Sequence, residues 1–270
     1  MKKIKNPLIR RIPKELIGDW KKYLVVFLFL VLTIGFVSGM YVANESMITS
    51  ANEGVTKYKQ EDGHFELKKQ ADATLLSAIE TGEKADFKAT KTTLYENFFR
   101  NEEEDYNNDG KKDGTIRVFA KTKDINLACM LQGSFPQKAD EIAIDRMHAD
   151  NVGIKVGDTV TVSGETYKVV GLLAYVNYST LHEKTTDLMF DALKFDVAMV
   201  TQDGFDRLHK SIHYTYAWKY ETEPADEAGE KTRSDNFMRA LLTQVVVADN
   251  ELEDLSLIHI SEPTRPLYIS

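Results

Sequence analysis

The chain has 270 residues, a net charge of −8 and a single cysteine. Its length suffices for a membrane segment and one or two folded units, and its acidic balance argues against nucleic acid as a partner, because phosphates would be repelled. A lone cysteine excludes an intrachain disulfide, and the apolar neighbours of Cys129 predict a buried small side chain.

One uncharged apolar run, residues 23–42, predicts a transmembrane helix. A helix rises about 1.5 Å per residue, so about 20 residues cover a hydrocarbon core roughly 30 Å thick. Residues 1–22 carry eight Lys or Arg and two acidic residues, a net charge of +6, which leaves −14 for the rest. Because basic flanks stay in the cytoplasm, we expect a cytoplasmic amino terminus and an extracytoplasmic main domain at the cell (plasma) membrane.

The segments on either side of this run carry predictions of their own. Apolar residues recur about once per helical turn in residues 1–22, which predicts a basic amphipathic helix on the inner lipid surface; an unstructured basic tail is the alternative. A cleaved signal peptide is the alternative to a retained anchor, but the apolar run exceeds the usual length and no clear cleavage site follows it. Met47, Ala51, Val55 and Tyr58 predict a helical stalk over residues 43–60.

Residues 61–254 alternate between strand and helix patterns and predict a mixed α/β body. The predicted strands are residues 64–67, 115–120, 141–144, 195–201 and 213–220, with a β-rich run over 87–99, and the predicted helices are 71–79, 146–151, 203–209 and 235–247, with a helical turn over 124–130. Alternating apolar residues on both sides of a Ser163-Gly164-Glu165 turn predict a small β-hairpin module, with Val160 and Val162 facing the same way.

Aromatic residues alternate along the last predicted strand: Tyr214, Tyr216, Trp218 and Tyr220. Alternation places them on one face of that strand, where they could either grip a peptide or lipid or fill a core. We favour the core.

One loop has the pattern of a calcium site. Oxygen ligands occupy its positions 1, 3, 5 and 9, namely Asp105, Asn107, Asp109 and Asp113. Gly110 at position 6 would permit the sharp turn that such loops need. However, position 12 is Ile116 in place of a bidentate Glu, and a strand is predicted to follow. A solvated turn uses the same residue types, so both interpretations stay open.

The sequence lacks the motifs of the common enzyme classes. It has no Gly-x4-Gly-Lys-Ser/Thr loop, so we expect no ATP hydrolysis by this chain, and no nucleophile elbow or zinc-protease motif occurs. We therefore predict a protein that is not an enzyme and has no cofactor of its own apart from the calcium hypothesis.

Four motifs in fixed order give the chain a family resemblance. They are Gly133, Phe135 and Pro136; residues 140–144; Val156, Gly157, Asp158 and Val160; and Tyr167, Val169, Val170 and Gly171. With the basic flank and the first apolar run, this order resembles the FtsX-like and MacB-like ABC transporter permeases, over roughly residues 10 to 250.

The resemblance implies a membrane-anchored α/β (α+β) chain: cytoplasmic residues 1–22, a transmembrane helix over 23–42, a stalk over 43–60 and a MacB-like extracytoplasmic core domain over 61–254. It also implies a permease subunit whose partners are a cytoplasmic ABC ATPase, which binds the ATP, and a second permease copy or homologue. The alternative from another class is a single-pass membrane-anchored binding or sensor module without a transport role.

The end of the chain has a different character. Residues 255–265, Leu-Ser-Leu-Ile-His-Ile-Ser-Glu-Pro-Thr-Arg, resemble an in-frame translation of the transposase-end adapter used in sequencing libraries. We therefore expect residues 255–270 to be a non-native tail, and the chain to be the amino-terminal part of a longer reading frame.

Overall fold

A computed structural model of the chain describes residues 18–81, 92–178, 181–183, 189, 191–222 and 227–257. The predicted inner-surface segment, residues 1–22, lies almost wholly outside this range, and so do residues 258–270 of the predicted tail. The chain divides into two units, residues 1–53 and 54–270.

The described elements follow the chain in this order. The helices are α1 (Trp20–Lys57), α2 (Ala73–Thr81), α3 (Arg146–Val152), α4 (Gln202–Asp206) and α5 (Glu227–Val247). The strands are β1 (Gly63–Leu67), β2 (Thr92–Glu96), β3 (Phe99–Asp105), β4 (Gly114–Ala120), β5 (Cys129–Gly133), β6 (Glu141–Asp145), β7 (Thr159–Val162), β8 (Glu165–Ala174), β9 (Phe195–Val200), β10 (Tyr214–Tyr220) and β11 (Leu252–Leu257).

Where the structure describes the first unit, it consists mainly of helix α1 up to residue 53. Its stretch Trp20–Met47 is long and apolar enough to cross a membrane, and none of the apolar window is buried within the protein. Each large apolar side chain from Tyr23 to Val42 is at least 42% exposed. Exposure of so many apolar side chains to water is unfavourable, whereas lipid accepts them. The prediction of one amino-terminal transmembrane helix agrees with this element.

A four-stranded antiparallel sheet forms one half of the second unit, in the order β11-β1-β10-β2. Helices α2 and α5 contribute side chains to the core on this sheet. Trp218 of β10 and Phe237 of α5 are both fully buried, with ring centroids 4.5 Å apart. Tyr216 is also fully buried and Tyr220 is 9% exposed, whereas Tyr214 is half-buried against the same core. The predicted core role is confirmed for Tyr216, Trp218 and Tyr220, and Tyr214 lies at the edge of this core.

A seven-stranded mixed sheet forms the other half, in the order β5-β8-β6-β9-β4-β3-β7. Strand β7 pairs with both β3 and β8, and this second pairing closes six strands into a ring. The hairpin of β7 and β8 is the predicted module: Val160 pairs with Tyr167, and both are fully buried. Ser163 and Gly164 have φ values of 47° and 88° and form the tight turn.

Two cores line the two faces of this sheet. One core contains every second residue of five strands, together with Ala149 of α3 and Phe205 of α4. The strands are β4, β6, β7, β8 and β9. The intervening positions, among them Phe119 and Phe195, form the second core with the segment that follows β8. Both faces of β9 are therefore covered, and all six of its residues are buried.

The structure contradicts the predicted helical turn over residues 124–130. Strand β5 begins at Cys129 and pairs with β8, while Asn126 has a left-handed φ of 47° that a helix cannot contain. The side chain of Asn126 accepts a hydrogen bond from Glu61 N at 3.0 Å, and this contact favours the irregular backbone. Cys129 is half-buried rather than buried, and Tyr58 Oη donates a hydrogen bond to its Sγ at 2.8 Å.

Strand β3 was not predicted as a separate element, because its sequence is mostly polar. It forms between β4 and β7 and pairs with both. These pairings stabilise the strand although its sequence does not alternate between apolar and polar residues. Of the predicted β-rich run over 87–99, residues 92–96 form β2 and residue 99 begins β3, while 87–91 lie outside the described residues.

Candidate functional site

The predicted calcium loop connects β3 to β4. Asp105 is the last residue of β3, is 9% exposed, and accepts hydrogen bonds from the backbone nitrogens of Asp109 at 3.1 Å and Gly110 at 2.9 Å. Gly110 has a φ of 84°, so the predicted role of this glycine in the turn fits the backbone.

The other predicted ligands also bond within the loop. Asn107 Nδ2 donates to Asp113 Oδ1 at 3.3 Å, and Asp113 Oδ2 accepts from Tyr106 N at 3.2 Å. Asp109 turns instead towards Lys111, whose backbone nitrogen donates to Asp109 Oδ1 at 2.9 Å. The loop thus brings Asp105, Asn107 and Asp113 together and directs Asp109 elsewhere. Calcium binding at this loop stays a prediction.

A second constellation lies in the core beside this loop: Glu104 of β3, His148 of α3 and Asp196 of β9. All three side chains are fully buried, and their ligand atoms lie within 4.8 Å of one another. Among the described residues, this is the one group of three His, Cys, Asp or Glu side chains that could hold a metal ion. We call it the Glu104–His148–Asp196 cluster.

Strand register places the two carboxylates on one face of the sheet. Glu104 pairs with Gly114 of β4, and Ile116, two residues further along β4, pairs with Asp196. Side chains two residues apart share a face, so Glu104 and Asp196 both point towards the core that contains Ile116. Gly114, the residue of β4 that pairs with Glu104, adds no side chain to this face.

Helix α3 positions His148 against this pair. Asp145 caps the helix and accepts hydrogen bonds from the backbone nitrogens of Met147 at 2.7 Å and His148 at 3.4 Å. Gly153, with a φ of 86°, ends the helix in the left-handed conformation. The imidazole Nδ1 of His148 lies 2.7 Å from the carbonyl oxygen of Ala192, so the ring orientation is fixed.

Burial and the neighbouring charges act in opposite directions on the groups of this cluster. Burial lowers the pKa of His148, but the carboxylates of Asp196 and Glu104 outweigh burial and raise this pKa to about 9. Burial also raises the pKa of Asp196 well above its usual value, against the opposing effect of His148. Such a cluster can hold either protons or a cation.

Sequence reasoning did not identify this cluster, because its members come from three separate elements. One signal was available: Asp196 is the only charged residue in the otherwise apolar strand Phe195–Val200. A charged residue in a buried strand needs a partner, and this requirement points to a polar constellation.

Comparison with solved structures gave matches of low sequence identity and low TM-score. No family model and no curated protein matches. The extracellular domain of the noncanonical ABC-type transporter YknZ from Gram-positive bacteria is 12% identical, with a TM-score of 0.35, over 71% of this chain and 100% of that chain. The periplasmic region of MacB from Actinobacillus actinomycetemcomitans is 9% identical, with a TM-score of 0.37, over 76% of this chain and 94% of that chain.

Proposed function

We propose that this chain is the amino-terminal part of an ABC transporter permease subunit. A separate cytoplasmic ATPase subunit binds and hydrolyses ATP, and the membrane helix passes the resulting motion to the extracytoplasmic domain, which acts in export or in an envelope process. The chain itself binds no nucleotide and works with a second permease copy or homologue.

The observation that supports this role most directly is the course of helix α1. It is a single helix from Trp20 to Lys57, so the apolar stretch and the predicted stalk belong to one element. The residues that follow bond within the second unit: Leu127 N donates to the carbonyl of Tyr58 at 2.8 Å, and Asn126 N to that of Lys59 at 3.0 Å. A helix with such an anchorage at its outer end suits the transmission of force.

Charge supports the orientation. The +6 charge of residues 1–22 favours the cytoplasmic side, where anionic lipid headgroups attract Lys and Arg. The rest of the chain, with a net charge of −14, then lies on the extracytoplasmic side of the membrane helix.

The test is the genomic reading frame together with a binding experiment. We expect the frame to continue beyond codon 254 into about three more hydrophobic spans of roughly 20 residues, and a neighbouring frame to encode a Walker-type ATPase. The ATPase, co-expressed with the tagged full-length permease, should co-purify in detergent, whereas an unrelated single-span protein with the same tag should not retain it. A stop codon directly after codon 254 would overturn the permease and favour the anchored binding or sensor module.

A further inference from the structure

The Glu104–His148–Asp196 cluster leaves several buried polar atoms without partners. Both carboxylate oxygens of Glu104, Nε2 of His148 and Oδ2 of Asp196 have no hydrogen-bond partner among the residues that the structure describes. A buried polar atom without a hydrogen bond destabilises the fold, and more so when it is charged. Glu104 Oε1 and His148 Nε2 lie at ion-pair distance from each other, 3.3 Å, which leaves Glu104 Oε2 and Asp196 Oδ2 without a hydrogen-bond partner in the described part of the chain. These two atoms beside the ion pair indicate that a ligand completes the site.

The satisfied atoms of the cluster show where the free atoms point. Asp196 Oδ1 accepts hydrogen bonds from Val197 N at 2.7 Å and Asp145 N at 3.2 Å, which leaves Oδ2 free for another partner. His148 Nδ1 faces the carbonyl of Ala192, and because a carbonyl can only accept, Nδ1 carries the proton. In the neutral ring, Nε2 therefore offers a lone pair. A metal-binding histidine has this same arrangement, with the other nitrogen bonded to a carbonyl.

The contact between His148 and Glu104 has the spacing of two ligands on one ion. Nε2 lies 3.3 Å from Glu104 Oε1, yet neither atom is hydrogen-bonded within the described part of the chain. Metal–ligand bonds of 2.0 to 2.2 Å in a tetrahedral site place two ligand atoms about 3.4 Å apart. A proton on Nε2 makes this contact an ion pair, and a divalent cation that binds both atoms takes the place of that proton.

We propose that Glu104, His148 and Asp196 bind one divalent transition-metal cation in the core of the second unit. An imidazole nitrogen with two carboxylates suits Zn²⁺ or Mn²⁺ better than Ca²⁺ or Mg²⁺, which prefer oxygen ligands alone. The ion joins β3, α3 and β9, three elements that are distant in sequence, and so holds the ring of strands together. This role is structural and does not depend on transport.

A nearby residue provides the matched comparison. Glu102 is on the same strand and face as Glu104 and is 1% exposed, but its carboxylate is satisfied: Oε1 accepts from Lys210 N at 2.9 Å and Oε2 from the Ser163 hydroxyl. The same strand thus carries one buried glutamate with a hydrogen bond to each carboxylate oxygen and one, Glu104, whose one polar contact among the described residues is the ion-pair contact with His148. Glu102 and Glu104 are both buried, so burial does not explain why their hydrogen bonding differs.

The test measures the metal content and the thermal stability of the full chain in detergent. Protein from cells grown with added Zn²⁺ or Mn²⁺ should contain about one ion per chain by elemental mass spectrometry. Heating with a chelator should lower the apparent Tm by about 5 °C or more relative to heating with the same metal, and added Ca²⁺ should not restore it. The proposal would be overturned if the wild-type protein contained no metal and its Tm did not change with a chelator. The cluster would then hold only protons.

Substitutions then locate the ion. His148→Gln and Asp196→Asn should each lower the bound metal by more than about tenfold. Asp113→Asn, which changes a ligand of the predicted calcium loop, should leave the metal content unchanged and so separates this site from that loop. Retention of the metal in both cluster variants would overturn the assignment. If a cluster variant does not fold, the wild-type chelator measurement still decides the outcome.

Discussion

The imidazole Nδ1 of His64 lies 2.7 Å from Oε1 of Glu61, a carboxylate that is only 1% exposed. Asn126 Nδ2 donates to the other carboxylate oxygen, so the buried glutamate has partners on both sides. Burial lowers the pKa of His64, but Glu61 outweighs burial and, with a smaller contribution from Asp254 against Arg117, raises it.

This contact predicts a pH dependence of stability. A raised pKa in the folded state means that the contribution is complete below the unfolded pKa of about 6.5 and disappears as the pH rises through the folded pKa. We expect the wild-type protein to exceed His64→Gln in unfolding free energy by about 1 kcal/mol at pH 5.5, with a smaller difference at pH 9. Urea unfolding of both proteins at the two pH values measures this, and a difference that grows with pH would contradict it.

The contact between Trp218 and Phe237 predicts a large effect on the core of the small sheet. Phe237 is fully buried, so Phe237→Ala removes a ring from a packed core and should cost about 3 to 5 kcal/mol. Leu242→Ala on the same helix, at a residue that is 46% exposed, should cost less than about 0.5 kcal/mol. Unfolding followed by the fluorescence of Trp218 compares them, and similar costs would contradict the assigned packing.

The close approach of β5 to β8 predicts a backbone effect at Gly133. A Cβ at this position would lie 2.2 Å from the carbonyl oxygen of Val170, and φ is 77°. Gly164 has a similar φ of 88° but no neighbour within 4 Å. Gly164→Ala should therefore cost about 1 kcal/mol for the left-handed backbone alone, and Gly133→Ala at least about 2 kcal/mol more. If the two variants lost the same unfolding free energy in urea, β5 and β8 could move apart at Gly133 with no loss of stability, which would contradict the prediction.

The calcium hypothesis gives a separate prediction for the loop between β3 and β4. Without a bidentate Glu, the loop should bind Ca²⁺ weakly, with a Kd of about 0.1 to 1 mM. Asp113→Asn should weaken binding about tenfold, because a charged ligand becomes neutral, while Asp196→Asn should leave it unchanged. Calorimetry on the full chain in detergent measures both, and the absence of binding below millimolar Ca²⁺ would identify the segment as a bare turn.

Elements with a regular pattern could be predicted from the sequence, and elements that depend on distant partners could not. The β7–β8 hairpin follows from the alternation around Gly164, and α3 follows from the Asp145 cap and Gly153. Strand β3 has no such pattern and exists because two other strands pair with it. Local sequence contains no information about that pairing.

The candidate sites divide in the same way. The loop that contains Asp105 and Asp113 is contiguous, so its ligand spacing could be found by inspection, although hydrogen bonds to Asp109 turn this residue away from the others. The Glu104–His148–Asp196 cluster forms only when β3, α3 and β9 come together. Its members have no shared spacing, and only the isolated charge of Asp196 indicated it.

The proposed coupling through helix α1 predicts that a break in the helix separates ATP hydrolysis from function. A flexible Gly-Ser insert between residues 42 and 47 interrupts the helix where it leaves the apolar stretch, and glycine disfavours helix continuation by about 1 kcal/mol per residue. In the full-length permease with its ATPase, we expect ATP hydrolysis to persist while the function of the outer domain is lost. A helix-forming insert of about seven residues, two turns, should preserve much of that function because the helix stays continuous. If the Gly-Ser variant worked as well as the wild type, the helix would be an anchor and would transmit no force.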